Sequence, residues 1–124
     1  MASQSTVMPI VEKLWLTRYP STSGGSRYTV RAKIKDYNSD IVLGSDSLLL
    51  SLYTPSGARA LDVKLNRLES GTALEGVVAG EFTLTKAQEL SYWGVLYNKS
   101  LVLERYDAAT LAGLGMLSNL NAPL

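Results

Sequence analysis

Oxygen-bearing side chains around residue 38 have the one spacing in this sequence that is typical of a metal-binding loop. Asp36, Asn38 and Asp40 stand at alternate positions, and oxygen ligands spaced in this way can converge on Ca²⁺. A calcium loop, however, needs glycine where this chain has Ile41, and a bidentate glutamate where it has Ser47. The alternative is a polar turn whose Asp and Asn side chains bond their own backbone. We therefore predict no metal site and no cofactor, and keep the three residues only as the candidate for calcium.

The chain contains no histidine and no cysteine. These absences remove the imidazole base, the thiolate nucleophile, the disulfide and the cysteine zinc site. No serine lies in a G-x-S-x-G elbow. Gly24-Gly25 and Gly113-x-Gly115 lack the residues that complete a phosphate-binding loop. We predict that the protein is not an enzyme and has no catalytic residues.

A row of basic residues alternates along one predicted strand. Arg31, Lys33 and Lys35 share one face, and Lys64 is expected to join them from a neighbouring strand. One interpretation is a surface that faces RNA phosphates. The other is a solvated face, or an edge strand whose charges prevent pairing with other edges. A net charge of +1 supplies no strong field for nucleic acid and favours the second interpretation.

Aromatic residues are the candidates for interface anchors. Tyr19, Tyr92, Trp93 and Tyr97 are of the types that contribute most to protein–protein binding. Packing in the core or at its rim is the alternative for each of them.

The first nineteen residues form a predicted assembly segment. This segment is apolar enough to need a partner, and we expect it to dock on a neighbouring subunit or to add a strand to its sheet. The candidate assembly residues are Val7, Ile10, Leu14, Trp15 and Leu16.

Turn formers divide the chain into three predicted regions. The segment 1–19 is followed by a flexible loop over residues 20–27, which begins at Pro20 and is rich in Ser and Gly. Residues 28–124 form the β-rich body. A length of 124 residues suits one domain, and no apolar stretch approaches the roughly 20 residues needed to cross a membrane.

Period-two alternation predicts strands in the first half of the body. Residues 28–35 alternate strictly, and residues 58–65 alternate again after a Thr54-Pro55-Ser56-Gly57 turn. Residues 47–53 are nearly all apolar and predict a strand that is buried on both sides. A second turn is predicted at residues 69–71, and another strand at residues 76–84. Together they predict a single antiparallel β-sandwich.

The last forty residues admit two interpretations. In the first, Thr85 and Gln88 form a capping box that starts one short helix near residues 86–92. A strand then covers residues 95–106 with an interruption near Asn98, and residues 111–120 form a last strand or short helix. In the second, residues 85–105 and 108–120 are two helices. Gly94 would cost such a helix about 1 kcal/mol relative to alanine, so strands are favoured.

The body resembles the immunoglobulin-like β-sandwich modules of tailed-phage particles, which serve in baseplates, fibre adaptors and capsid decoration. The resemblance covers about three-quarters of the chain and rests on short degenerate motifs. It implies a structural protein of the virion without catalytic residues. The motifs are DYNSDIVLG from Asp36, LSLYTPSG from Leu50, GEFTLTKAQ from Gly80, GVLY from Gly94 and LAG from Leu111.

With helices at the C-terminus, the chain resembles the coat proteins of single-stranded RNA phages. Those proteins have an N-terminal hairpin, an antiparallel sheet and two C-terminal helices, and they form interlocked dimers. In this α+β alternative, the motif GEFTL from Gly80 ends the sheet, and the basic row faces genomic RNA.

Both resemblances imply a virion component that is made in the host cytoplasm. The expected partners are further copies of the chain and other virion proteins, with a homo-oligomer as the expected state. Nucleic acid is a partner only in the coat-protein alternative, and no membrane is expected. A non-viral β-sandwich that binds carbohydrate or peptide is a further alternative.

Overall fold

The computed structural model describes residues 9–35, 47–72 and 74–117. Within them the chain forms eight strands, one turn of 3-10 helix (Lys86–Gln88) and one α-helix, α1 (Ala108–Gly113). The strands are β1 (Ile10–Pro20), β2 (Ser26–Lys35), β3 (Leu48–Tyr53), β4 (Arg59–Lys64), β5 (Arg67–Gly71), β6 (Glu75–Leu84), β7 (Trp93–Asn98) and β8 (Leu101–Tyr106).

Two antiparallel sheets of four strands form a β-sandwich, which confirms the predicted fold class. Sheet A has the strand order β1-β2-β6-β5, and sheet B has the order β4-β3-β7-β8. Apolar and polar residues alternate along β2, so this strand has one apolar face, and that face packs against sheet B. Tyr28, Val30, Ala32 and Ile34 are fully buried there. They meet a second apolar row from β3, made of Leu48, Leu50 and Leu52.

The two sheets approach most closely where β6 passes β4. A Cβ atom placed on Gly80 would lie 2.2 Å from the backbone oxygen of Lys64. Only glycine allows this approach. The next residue, Leu65, donates its N–H to the carbonyl of Leu48 at 2.9 Å as the chain crosses between the sheets.

The N-terminal strand belongs to the sandwich, so the expected boundary at residue 19 is corrected for the described residues. β1 pairs with β2 along its length, and the side chains of Leu14 and Leu16 are only 3% and 5% exposed. Leu16 also donates its N–H to the carbonyl of Leu114 at 2.9 Å. The expected loop over residues 20–27 is shorter than predicted, because the strands leave only a turn at residues 21–25.

The C-terminal part is a hairpin rather than one interrupted strand. β7 and β8 pair across a turn in which Lys99 has a φ of 56°. The amide of Asn98 is buried and donates to the carbonyl of Ser47 at 3.0 Å, which fixes the start of this turn. Strands thus occupy most of the region where the α+β alternative needed a helix over residues 85–105, so the α+β fold class is wrong.

Local signals for the short elements were partly right. Thr85 and Gln88 form the predicted capping box, with the Thr85 N–H donating to Gln88 Oε1 at 2.9 Å. The helix that follows is a single 3-10 turn. α1 is capped by Asp107, whose carboxylate accepts from the Thr110 N–H at 2.7 Å. Residues 69–71 lie in β5 and do not form the predicted turn.

Each of the four edge strands carries one bulge. The registers skip Glu12 in β1, Ala60 in β4, Glu69 in β5 and Leu103 in β8. The two central pairs, β2–β6 and β3–β7, run without a shift. Bulges twist an edge and interrupt its ladder, so all four edges are poor templates for another strand.

Candidate interaction surface

Three aromatic side chains meet on the outer face of sheet B. Tyr53 on β3 and Trp93 on β7 are cross-strand partners. Their rings are stacked, with 4.4 Å between the ring centroids and 14° between the ring planes. The hydroxyl of Tyr97 lies 3.3 Å from that of Tyr53. Because β3 and β7 are the central strands of the sheet, this aromatic cluster (Tyr53, Trp93, Tyr97) lies between the two edge strands and includes the pair at the end of the β3–β7 ladder.

The polar atoms of the aromatic cluster are satisfied within the chain. Trp93 donates its indole N–H to the carbonyl of Thr54 at 3.0 Å. The hydrogen bond with Tyr97, followed by partial desolvation, raises the pKa of Tyr53 above its ordinary value. Tyr53 is therefore neutral at physiological pH and keeps its hydrogen bond, so its ring adds no charge to the surface.

A polar triad lies beside the cluster. Ser51 donates its hydroxyl to Asp62 Oδ1 at 2.7 Å, and Arg59 contacts both groups, with Nε 2.8 Å from Asp62 Oδ1 and Nη2 2.9 Å from Ser51 Oγ. Ser51 is fully buried. The hydrogen bond with Asp62 raises the pKa of Arg59. A buried hydroxyl held by a carboxylate that is neutralised by arginine supports the strand and is not arranged as a nucleophile.

The four predicted interface aromatics are distributed over three places. Trp93 and Tyr97 join the aromatic cluster. Tyr92 is 4% exposed, packs in the core and donates its hydroxyl to the carbonyl of Gln88. Tyr19 is exposed on sheet A, where the guanidinium carbon of Arg27 lies 4.3 Å from its ring centroid. Tyr53 was missed because its strand was expected to be buried on both sides.

The basic row on β2 is mostly matched by carboxylates. Arg31 Nε bonds both carboxylate oxygens of Glu69, at 2.7 and 3.0 Å, and this contact raises the pKa of Arg31. The ammonium of Lys35 lies 3.9 Å from Glu12 and 3.8 Å from Glu75.

Lys33 is the exception in this row. It is exposed and stands directly opposite Lys13 of β1, and no carboxylate of the described residues pairs with either lysine. The Lys13 ammonium lies 4.9 Å from the centroid of the Trp15 ring. Lys64 lies on β4 in the other sheet and does not join the row. The predicted surface of four cations is therefore not formed.

The predicted assembly residues separate by face. Leu14 and Leu16 point into the core, Trp15 points outward from sheet A, and Ile10 is exposed at the start of β1. Val7 lies outside the described residues, and so does the calcium candidate formed by Asp36, Asn38 and Asp40.

Comparison with known proteins does not assign a role to this surface. No protein-family model, no curated protein and no solved structure matches the chain. Among the described residues there is no group of acidic side chains that is suited to hold a metal ion. No helix in the same residues is long and apolar enough to cross a membrane.

Proposed function

We propose that this chain is a non-enzymatic structural protein of a phage virion, an accessory, decoration or tail and baseplate module, and that its copies join through the aromatic cluster of sheet B. The virion assignment is supported by the sequence resemblance to tailed-phage sandwich modules. The mode of joining is supported by the geometry of the two sheets.

The aromatic cluster is the observation that carries the proposal. Tyr53, Trp93 and Tyr97 lie on the solvent side of the sheet, although aromatic rings of this size are the side chains that a core would use. Interface centres are enriched in Trp and Tyr and depleted of charge. The cluster supplies the aromatic residues, and the Arg59–Asp62 pair beside it is neutral as a pair. The stacked rings lose little conformational entropy when a partner covers them.

The edges of the sheets favour joining by faces over joining by strands. All four edge strands are bulged, and the strand that was expected to leave for a neighbour, β1, is paired within its own sheet. Docking of one sheet face on another subunit therefore replaces strand addition as the proposed mode of assembly.

RNA binding by a coat shell is not carried forward. Arg31 and Lys35 are matched by carboxylates, and Lys64 is in the other sheet. The two-sheet architecture also differs from the sheet and two helices that the coat alternative required.

Sedimentation velocity of the purified chain tests the mode of joining. Tyr97→Glu places a charge at the centre of the proposed interface, and we expect the dissociation constant of the oligomer to rise about 100-fold, the effect of losing a hot spot. Tyr19→Glu makes the same change on the outer face of sheet A and should leave the oligomer intact. A wild-type chain that stays monomeric up to millimolar concentration contradicts the proposal, and so does equal weakening by both variants.

Mass spectrometry of purified particles tests the virion assignment separately. Peptides of this chain should be recovered from particles banded on a density gradient, in a fixed molar ratio to the major capsid protein. Their recovery only from the soluble fraction of the infected lysate would refute the assignment.

A further inference from the structure

An open cleft of about 700 Å³ lies on sheet A, between the β1–β2 turn and the end of β6. Its walls come from the hairpin, including Tyr19 and Arg27, and from the end of β6 together with Lys86. Neither the aromatic cluster of sheet B nor the basic row of β2 lines it. The cleft is thus independent of the surface that we propose for assembly.

The walls of the cleft are fixed by backbone packing. Gly24 and Gly25 have φ values of 91° and 82°, which side-chain-bearing residues rarely adopt. A Cβ atom on Gly25 would lie 2.6 Å from the carbonyl oxygen of Leu84, and one on Gly24 would lie 3.1 Å from Cδ of Lys86. The turn therefore packs directly on residues 84–86 and holds the stem of Lys86. A binding site with such fixed walls loses little conformational entropy when a ligand binds.

The charge of the cleft is positive. Arg27 and Lys86 are the charged side chains among the described residues that line it, and none of those residues is an aspartate or glutamate. Arg27 lies 3.9 Å from Glu81 outside the cleft, but both side chains are half exposed, so this pair is weak. No ion pair joins Lys86 to any other described residue. Two cations without a carboxylate between them favour an anionic group, held by charge-assisted hydrogen bonds.

The remaining lining is suited to a sugar ring. Tyr19 is 40% exposed and supplies an aromatic ring beside the cleft, and Arg27 lies on one of its faces. Ser21, Ser23 and Thr83 add hydroxyl groups. Ser26 does not contribute, because its hydroxyl donates to Glu89 at 2.7 Å. An aromatic ring with a few placed polar groups is the usual composition of a site for an amphipathic ligand.

We propose that this cleft binds an acidic sugar, with its carboxylate or phosphate group between Arg27 and Lys86 and its ring against Tyr19. A neutral sugar would leave the two cations without an anionic partner. A small inorganic anion would leave the Tyr19 ring without a contact. The proposal does not depend on the assembly mode, because the full chain can be tested for binding in either oligomeric state.

Chemical-shift perturbation on the isotope-labelled chain is the test. Glucuronate and glucose phosphate are the probes, glucose is the neutral control, and inorganic phosphate is the control for the anion alone. We expect both acidic sugars to shift the amide signals of Gly24, Gly25 and Lys86, with glucose and phosphate at least about tenfold weaker. Lys86→Gln should weaken binding about tenfold through the loss of one charged hydrogen bond, and Tyr19→Ala should weaken it through the loss of the ring.

Lys33→Gln is the matched control, because it removes an exposed lysine from the same sheet outside the cleft. It should leave the affinity unchanged, and unshifted signals elsewhere in the spectrum of each variant show that the fold is kept. Three results would overturn the proposal: no shifts with either acidic sugar, equal binding of inorganic phosphate, or equal weakening by Lys33→Gln and Lys86→Gln.

Discussion

Asp107 shows how one exposed side chain acts on a neighbouring element. Its carboxylate accepts the N–H of Thr110 at 2.7 Å and starts α1. This backbone hydrogen bond, and a second one from the Thr110 hydroxyl, lower the pKa of Asp107 below its ordinary value of 3.8. Because the charged form is favoured in the folded state, its stabilisation is present above the ordinary pKa and is lost as the pH falls through the lower folded value.

Acid denaturation should therefore depend on Asp107. Asp107→Asn keeps an acceptor for Thr110 but removes the titrating group. We expect the variant to lose less stability than the wild type as the pH falls from neutral to below the folded pKa of Asp107. Urea denaturation at several pH values measures this difference. Parallel pH dependences for the two proteins would show that the cap does not titrate with folding.

Tyr106 differs from Asp107, because its environment shifts its pKa in the opposite direction. Burial, with the charge of Glu104 as the smaller cause, raises the pKa of Tyr106 to about 12. Its neutral form is favoured in the folded state, so the associated stability is fully present below the ordinary pKa of 10.0 and is lost as the pH rises towards 12. Adjacent residues near the end of β8 and the start of α1 thus respond to opposite ends of the pH scale.

The bulges distinguish the edge strands from the central ones. The extra residue in β4 is Ala60, which is exposed and lies between the pairs Leu52–Leu61 and Tyr53–Arg59. Without it the two pairs would be consecutive and the ladder would be regular. The side chains of the other β4 residues would stay on the same side of the sheet as before. The deletion would therefore make the edge strand regular and change little else.

Deletion of Ala60 should therefore leave a folded chain that aggregates faster than the wild type, because a regular edge is a template for another strand. Light scattering during incubation below the melting temperature measures the rate. Ala60→Ser keeps the bulge and is the control. A deletion variant that stays as soluble as the wild type would show that the bulge does not protect this edge.

The sequence predicted elements where the pattern is local. The alternation of residues 28–35 gave β2 and its buried face, and the spacing of Thr85 and Gln88 gave the cap. The β7–β8 turn was missed because Lys99 adopts a positive φ, where sequence rules expect Asn or Gly. The aromatic cluster was half predicted: Trp93 and Tyr97 were candidates because of their residue type, but Tyr53 joins them through a register between strands that are far apart in sequence.

Closure of the sandwich depends on how near the two sheets come to each other. Gly80 of sheet A lies against the backbone of Lys64 in sheet B. No side-chain movement can relieve a clash there, because the opposing atom belongs to the main chain. Gly113 is the opposite case, since a Cβ on it would contact nothing within 4 Å.

Gly80→Ala should destabilise the protein by about 1–3 kcal/mol, the cost of overpacking a well-packed interior. Gly113→Ala should be neutral or stabilise it by about 0.5 kcal/mol, because alanine is the better helix former. Thermal and urea denaturation of the two variants provide the comparison. Equal stabilities of the two variants would mean that the sheets can move apart at Gly80 without a loss in the free energy of unfolding.

The two tryptophans give each face of the sandwich its own fluorescent reporter. Trp15 lies on the outer face of sheet A beside Lys13, and Trp93 lies on the outer face of sheet B stacked on Tyr53; the chain has no other tryptophan. Trp15→Phe leaves emission from sheet B alone, and Trp93→Phe leaves emission from sheet A alone. Quenching by acrylamide in the free and assembled states would then report directly which face a neighbouring molecule covers.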